Sequence, residues 1–530
     1  MMRFRNSGLF LFLGTAAVAV GSTFSCSSKS CVDEPNPDTA CCAPLGFDAK
    51  TGTCQAASGD AALEGGADAQ PDVVPAGCDP TASPKDAPKC VVSEFGVFVD
   101  VAGGDNANAG TKESPVKSIE GALKKLGTKS RVYVCEGTYD EHVKVTSAVS
   151  LYGGFACSGW GYTGTKSTIA PKSQGYALEI SGASAALFVE DFAMTSPEAT
   201  DAGASSVGVF VSSSSKVTFR RVTMAAGKAA SGTDATDASD VAPANAPDGT
   251  AGGAGGAQTP NPACATSIGG AGGKDGATNG GAGQVAVVPA FPSTSTGAGG
   301  TAGPTCALLA ADGSYGIAGS AGTGAPSAGT LEATGWKASD GAAGGAGGNG
   351  QGGGGGAQRI AGGVGGSGGP GGCGGASGAK GTAGGSSIAL LVFESSVALE
   401  QSTLTAKDAG RGGNGAKGGK AQLGNLNPAN GTGATACAGG FGGVGGSGGG
   451  GGGGAGGVSA GILYKGTAPS IEGVSTQGAD TLPSVTLGAK GAAGTKGASG
   501  VAAQAAPLSR AGLEGTAGAE GAAKAVVSAP

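Results

Sequence analysis

The chain has 530 residues, 113 of them glycine, with 13% charged residues, a formal net charge of −6 and a pI near 5.1. An acidic balance without a lysine-rich patch excludes a nucleic-acid partner, because phosphate binding needs a clustered basic surface. Outside glycine blocks near 250–303, 340–386, 410–457 and 488–523, the core-forming sequence suits a domain of about 200 residues.

Residues 1–26 read as an export signal. Arg3 and Arg5 make a short positive start, and Leu9 to Val20 is an apolar run too short to span a bilayer. The run ends in Thr23-Phe24-Ser25-Cys26. This resembles a bacterial lipoprotein signal, which implies that Cys26 becomes the lipidated first residue and anchors the chain in a membrane. Ser27 after it, in place of aspartate, implies the outer membrane, on the surface or released outside the cell. Ordinary cleavage near Ala19 is the competing reading. Parity favours the lipoprotein: of thirteen cysteines, setting Cys26 aside leaves twelve, enough for six disulfides in an oxidising compartment.

Residues 27–55 carry Cys31, Cys41, Cys42 and Cys54 and are too few to build a core, so disulfides would have to hold them. A zinc site is the weaker alternative, since no C-x-x-C pair is present. Residues 56–94 read as an acidic linker with a small cysteine loop, kept extended over 56–77 by Asp60, Glu64, Asp68 and Asp72. Cys78 and Cys90 are expected to close a small loop at its end.

Residues 95–228 open the main domain. Val97-Phe98-Val99 is a strand, and Gly104-Asp105 through Asn108-Ala109-Gly110-Thr111 a loop in which Asp105 and Asn108 nucleate a turn rather than bind a cation. Ser114 is expected to cap a helix with Pro115 at its first position, placing Val116, Ile119, Leu123 and Leu126 on one face. The strand Val132-Tyr133-Val134 and the turn Gly137-Thr138-Tyr139 to Glu141 follow. This order resembles the pectin-lyase-like right-handed parallel β-helices, and among them glycine-rich bacterial surface lipoproteins. The resemblance covers residues 95–225, 386–410 and 458–487. It implies an all-β, right-handed parallel β-helix whose N-terminal helix caps the stack, and a disulfide between Cys135 and Cys157 on consecutive rungs.

Four segments align: Leu187–Met194, Val217–Met224, Val397–Leu404 and Pro469–Thr476. Each alternates apolar and polar residues, inserts a pair, and alternates again, as two half-buried strands joined at a corner would. Such a unit must stack on copies of itself. The inserted pairs place Glu190 beneath Arg220 and Arg221, and these beneath Glu400, an expected surface ladder of alternating charge.

The glycine-rich stretches 229–385, 411–457 and 488–530 interrupt this coil, leaving single rungs at 386–410 and 458–487. Their repeats have period three, as in GGV-GGS-GGP-GGC-GGA from Gly362 to Ala376 and GAK-GAA-GTK-GAS from Gly488 to Ser499. Period three is that of a polyproline-II-type helix, and proline is too scarce for collagen. Bundles of extended polyglycine helices, similar to the cores of some bacterial-virus adhesins and an arthropod antifreeze protein, and flexible loops both remain open readings. Cys264, Cys306, Cys373 and Cys437 lie in or beside these blocks, where disulfides would stabilise compact lobes.

Catalytic motifs are sparse. Uronide lyases and hydrolases of this fold need grouped aspartates with an arginine base, or with a histidine and an R-I-K triplet. The chain has no D-D pair, no R-I-K and one histidine, His142. Partial nonapeptide-like runs at Asn349 and Asn414 lack the aspartate series that calcium needs. No cofactor or metal is expected. The sequence therefore predicts a structural or adhesive surface protein whose partner is a surface polysaccharide or another surface protein. A polysaccharide-binding or polysaccharide-degrading module is the alternative, with ice or mineral binding a distant third.

Overall fold

The structure, a computed structural model, describes residues 46–48, 53–55, 74–250, 256–274, 278–283, 297–301, 306, 310–358, 363–431, 436–503 and 511–530. The chain divides into Met1–Ala69 and Gln70–Pro530. In the first unit, Gly46–Asp48 pairs antiparallel with Thr53–Gln55. The export signal, Cys26, Cys31, Cys41 and Cys42 lie outside the described residues, as does the side chain of Cys54. Everything below concerns the second unit.

Three parallel sheets form the walls of a coil. The first stacks Val97–Val99, Arg131–Cys135, Ser150–Phe155, Leu187–Glu190, Val217–Arg220, Val397–Glu400 and Ser470–Ile471. The second stacks Gly137–Tyr139, Ser167–Ile169, Phe192–Thr195, Thr223–Ala225, Thr403–Thr405 and Val485–Thr486. The third stacks Val143–Val145, Leu178–Ser181, Ser206–Ser212, Ser387–Phe393, Ser459–Lys465 and Ala523–Ser528. The path runs repeatedly from third sheet to first to second, which is a parallel β-helix. Registers match the sequence alignment: Leu187, Val217 and Val397 are in line, as are Glu190, Arg220 and Glu400.

Burial explains the pattern. Val217, Phe219, Val222 and Met224 are all fully buried in one core with Val189, Phe192, Met194, Leu399 and Leu404. Between first and second sheets the chain turns at one residue in the left-handed region: Asp191 (φ 60°), Arg221 (φ 54°) and Gln401 (φ 50°). Side chains disfavour that conformation by about 1–2 kcal/mol, so the coil must impose it. The third sheet is apolar on both faces. Val209, Val211, Leu390 and Val392 face the coil's axis. Val207, Phe210, Ile388 and Leu391 face outward, where the hairpin Gly329–Glu332 with Gly335–Ala338 covers them through Leu331 and Trp336.

Several expectations need correction. The helix spans Ile119–Leu123, and its N-cap is Ser118, whose side chain accepts from the Gly121 amide. Ser114-Pro115 does not start it. Val116 instead bridges in parallel to Val99, while Asn106 Oδ1 accepts from the amides of Lys117 and Ser118 and thereby sets the start later. Ile119 and Ala122 are buried in the main core. The stretch between the cysteine loop and the first strand packs on the coil: Val91 and Phe95 are buried, and the Arg131 guanidinium sits 4.4 Å from the Phe95 ring and 5.2 Å from that of Tyr152. The fourth aligned segment is only half a unit. Ser470–Ile471 continues the first sheet, but Glu472 (φ 48°) and Gly473 (φ 78°) reverse the chain. Val474–Ser475 then folds back antiparallel, leaving Val474 70% exposed. At this end Ala479 and Leu482 pack on the core instead.

The glycine-rich runs extend the walls. Below the second sheet, amides of Ala226, Ala229, Gly232, Ala235, Ala238 and Val241 donate to carbonyls of Thr405, Asp408, Arg411, Asn414, Lys417 and Lys420. The register of the sheet thus passes into the runs while the spacing changes to every third residue. Returning runs enter the third sheet in the same way: Gly378, Gly381 and Gly384 donate to Gly449, Gly452 and Ala455, and Ser387 continues to Val458.

The run from Gly439 to Gly457 lies innermost. Its peptide groups bond to runs within 339–354, 410–425, 513–519, 313–325, 366–384 and 491–500, so it has neighbours on every side. A Cβ at Gly449 would lie 1.8 Å from the Ser320 carbonyl oxygen, at Gly451 1.9 Å from that of Ala379, and at Gly453 2.1 Å from that of Gly494. From Gly448 to Gly454 no position has room for a side chain. At Ser447, Val444 and Phe441 side chains return, beyond Gly448, the last residue to which the 491–500 run donates. The peripheral run 488–500 needs glycine only every third residue, and its sequence shows only that.

Candidate functional site

The concentrated charges of the coil meet at the corner between first and second sheets. Glu190 and Asp191 close one rung, Arg220 and Arg221 the next, and Glu400 the third, because corner residues stack in register. Arg220 donates from Nη1 to Glu190 Oε1 at 2.6 Å and from Nε to Glu400 Oε2 at 2.7 Å. Arg221 forks onto Asp191, Nε to Oδ1 at 2.9 Å and Nη2 to Oδ2 at 2.8 Å, and also reaches Glu190 Oε2 at 2.8 Å.

The expected ladder was a surface feature; two of its acids are buried. Glu190 is 2% and Asp191 4% exposed, Glu190 beneath Ser83 of the N-terminal segment and Asp191 beneath Tyr162. Ser83 Oγ donates to Glu190 Oε2 at 2.5 Å and accepts from Arg221 Nη2 at 3.0 Å. Tyr162 donates its hydroxyl to Asp191 Oδ1 at 3.1 Å, and the Arg220 guanidinium lies 5.3 Å from the Phe188 ring centroid. Burial acts to lower the Arg221 pKa, but the hydrogen bonds and charge of Asp191, then Glu190, outweigh it and hold the guanidinium above its ordinary value. Burial raises the Tyr162 phenol, helped by the Asp191 charge. Lys166, 2.7 Å from Thr223 Oγ1, is pushed down by burial against the pull of Asp191.

Chemically this is a closed ion network. Every carboxylate is met by a guanidinium, and the best-buried pair also satisfies a serine hydroxyl. Charged hydrogen bonds of this sort lock geometry. Ser83, Tyr162 and Lys166 escaped sequence reasoning because they lie outside the aligned units. The one available signal was the apolar cluster Val91-Val92 and Phe95, which ill suits a solvated tether.

His142 Nδ1 lies 2.7 Å from the Tyr176 carbonyl oxygen and Nε2 2.9 Å from Ser173 Oγ, fixing a loop away from the ion network. Asp105 Oδ1 accepts from the Ala107 amide and Asn108 donates to the Pro115 carbonyl, a turn as expected. Asp100 approaches Cys135 and Cys157 closely, but those sulfurs are bonded to each other. Among the described residues, four disulfides are formed: Cys78–Cys90, Cys135–Cys157, Cys264–Cys373 and Cys306–Cys437. The first two follow expectation. The last two had no predicted partners, since sequence does not say which runs neighbour one another.

Asparagine and aspartate side chains secure the outer runs. Asp234, Asp237 and Asp240 accept from the amides of Asn414, Lys417 and Lys420, and Asp234 is also gripped by both terminal nitrogens of Arg411 at 2.8 Å. Asp408 and Asn414 in turn accept from Ala489 and Thr495. Asn414 therefore serves register.

These features define a parallel β-helix with long, hydrogen-bonded glycine-rich excursions. Residues 101–234 match the family described as Protein of unknown function (DUF1565), which is associated with right-handed β-helix proteins. No curated protein and no solved structure matches the chain. Among the described residues, no helix is long and apolar enough to cross a membrane.

Proposed function

We propose that this chain is an exported, lipid-anchored surface protein of the outer membrane. Its β-helix and a polyglycine-II-type bundle act together as one rigid structural or adhesive element toward a surface polysaccharide or another surface protein. The observation that carries export is the disulfide state: all eight cysteines from Cys78 to Cys437 are paired, and such bonds persist in oxidising compartments. Three-residue spacing of interchain hydrogen bonds around the run 439–457 supports the polyglycine-II reading.

The corner network supports a structural use of the coil's charges. Glu190, Asp191, Arg220 and Arg221 are spent on one another, whereas a catalytic face needs carboxylates poised toward substrate.

Expression with its own leader in a Gram-negative host, fed a labelled palmitate analogue, tests the anchor. The full chain should carry label and sediment with outer membranes, and Cys26→Ser should lose both. Unlabelled wild-type protein would overturn the anchor. New reducing ends or unsaturated products from pectate or alginate would replace the adhesive reading with an enzymatic one.

A further inference from the structure

Outside the ion network, one cavity is built by three distant segments. It has a volume of about 360 Å³ and lies between Tyr176, the turn Gly203–Ser205, Val207 and Trp336 of the covering hairpin. That volume is within the range of small-ligand sites. We propose that this cavity is a binding subsite for one neutral pyranose ring of a surface polysaccharide. The proposal deepens the adhesive reading by naming the partner's chemistry.

Two observations select this ligand class. No acidic, basic or imidazole side chain lines the cavity. A uronate or an ammonium would therefore shed its hydration there without compensation. Two aromatic rings form its walls, and the axial C–H bonds of a pyranose carry slight positive charge that suits the negative face of such rings.

The walls are held from behind. The Tyr176 and Phe210 ring centroids are 5.1 Å apart, and His142 fixes the Tyr176 carbonyl. Burial, then the Glu179 charge, raises the Tyr176 phenol, which keeps it protonated as a donor. Trp336 is opposite Leu331 in the hairpin register, and Leu331 is buried against the third sheet.

The chain contains two tryptophans, and Trp160 is buried with its Nε1 donating to the Lys112 carbonyl. Full-length Trp160→Phe protein therefore reports on Trp336 alone. We expect saturable fluorescence changes with gluco-, manno- or galacto-configured neutral oligosaccharides and none with oligogalacturonate. Calorimetry on wild type should show millimolar affinity, reduced about tenfold or more in Tyr176→Ala and in Trp336→Ala, each of which removes one aromatic wall. Saturation by no neutral sugar, or affinity unchanged in both variants, overturns the subsite. So does tighter binding of oligogalacturonate or of a proline-rich peptide. Palmitate labelling of the full chain is unaffected by any of these results, so the subsite and the anchored-protein reading fail separately.

Discussion

Ser83 Oγ donates to Glu190 Oε2 at 2.5 Å across 107 positions of sequence. This bond brings the N-terminal segment onto the coil and turns a solvent-facing corner into a buried one. A pair of acids that sequence places at a surface thus becomes a fixed internal network, with Arg221 as its hub.

Removing that hub should be costly. Arg221→Ala leaves the nearly inaccessible Asp191 without a guanidinium, beside a Glu190 held by Arg220 alone. Breaking such a buried pair costs about 3–5 kcal/mol. Denaturant unfolding should show a lowered midpoint, and Glu190→Gln in the same background should recover part of the loss. A midpoint unchanged by Arg221→Ala would mean that the network contributes nothing to stability.

Glycine should be irreplaceable only where a run is surrounded. Gly449→Ala places a Cβ against the Ser320 carbonyl, whereas Ala492, in the outer run, is exposed. We expect Gly449→Ala to lower the thermal midpoint by several degrees and Ala492→Ser to leave it within about one degree, since exposed substitutions stay within about 0.5 kcal/mol. Equal effects from the two would contradict the packed arrangement.

Acid should loosen an outer run before the coil. Hydrogen bonding by Arg411, then by the Asn414 amide, lowers the Asp234 carboxyl from 3.8 to about 2. A depressed carboxylate pKa favours the folded state above the unfolded pKa, and this contribution disappears as pH falls through the folded value. Hydrogen exchange at Gly232 and Ala235, corrected for its intrinsic pH dependence, should therefore accelerate between about pH 4 and pH 2. Asp234→Asn should flatten the response, and an unchanged profile in that variant would assign it elsewhere.

The bundle's disulfides should matter more than the coil's N-terminal one. Cys264–Cys373 and Cys306–Cys437 close separations of 109 and 131 residues, Cys78–Cys90 one of 12. Chain-entropy reasoning assigns each long loop about 4–5 kcal/mol and the short one about 3. Alanine replacement of each pair, followed by denaturant unfolding, should reproduce that order. A larger loss from the short loop would show that native packing, not chain entropy, dominates.

Much of the coil was legible because its signals are local. The two-residue alternation of Val217-Thr218-Phe219 and the corner pair after it demand a half-buried strand and a turn. Copies of that unit must stack, so the alignment of Glu190, Arg220 and Glu400 followed from counting alone. Reading failed where a partner lies far away. Ser118 displaced Ser114 as cap because Asn106 reaches across to its amide, and Val474 left the coil because no further rung covers it.

In the same way, sequence by itself determined two periods: two for the walls, three for the glycine-rich runs, and unbroken glycine where no side chain fits. Each follows from how one backbone segment distributes its own side chains around its axis. Only the tertiary structure decided that Cys264 meets Cys373, that Ser83 covers Glu190, and that Trp336 closes a cavity with Tyr176. Those pairings depend on which distant segments share a boundary, and short-range periodicity carries no record of that.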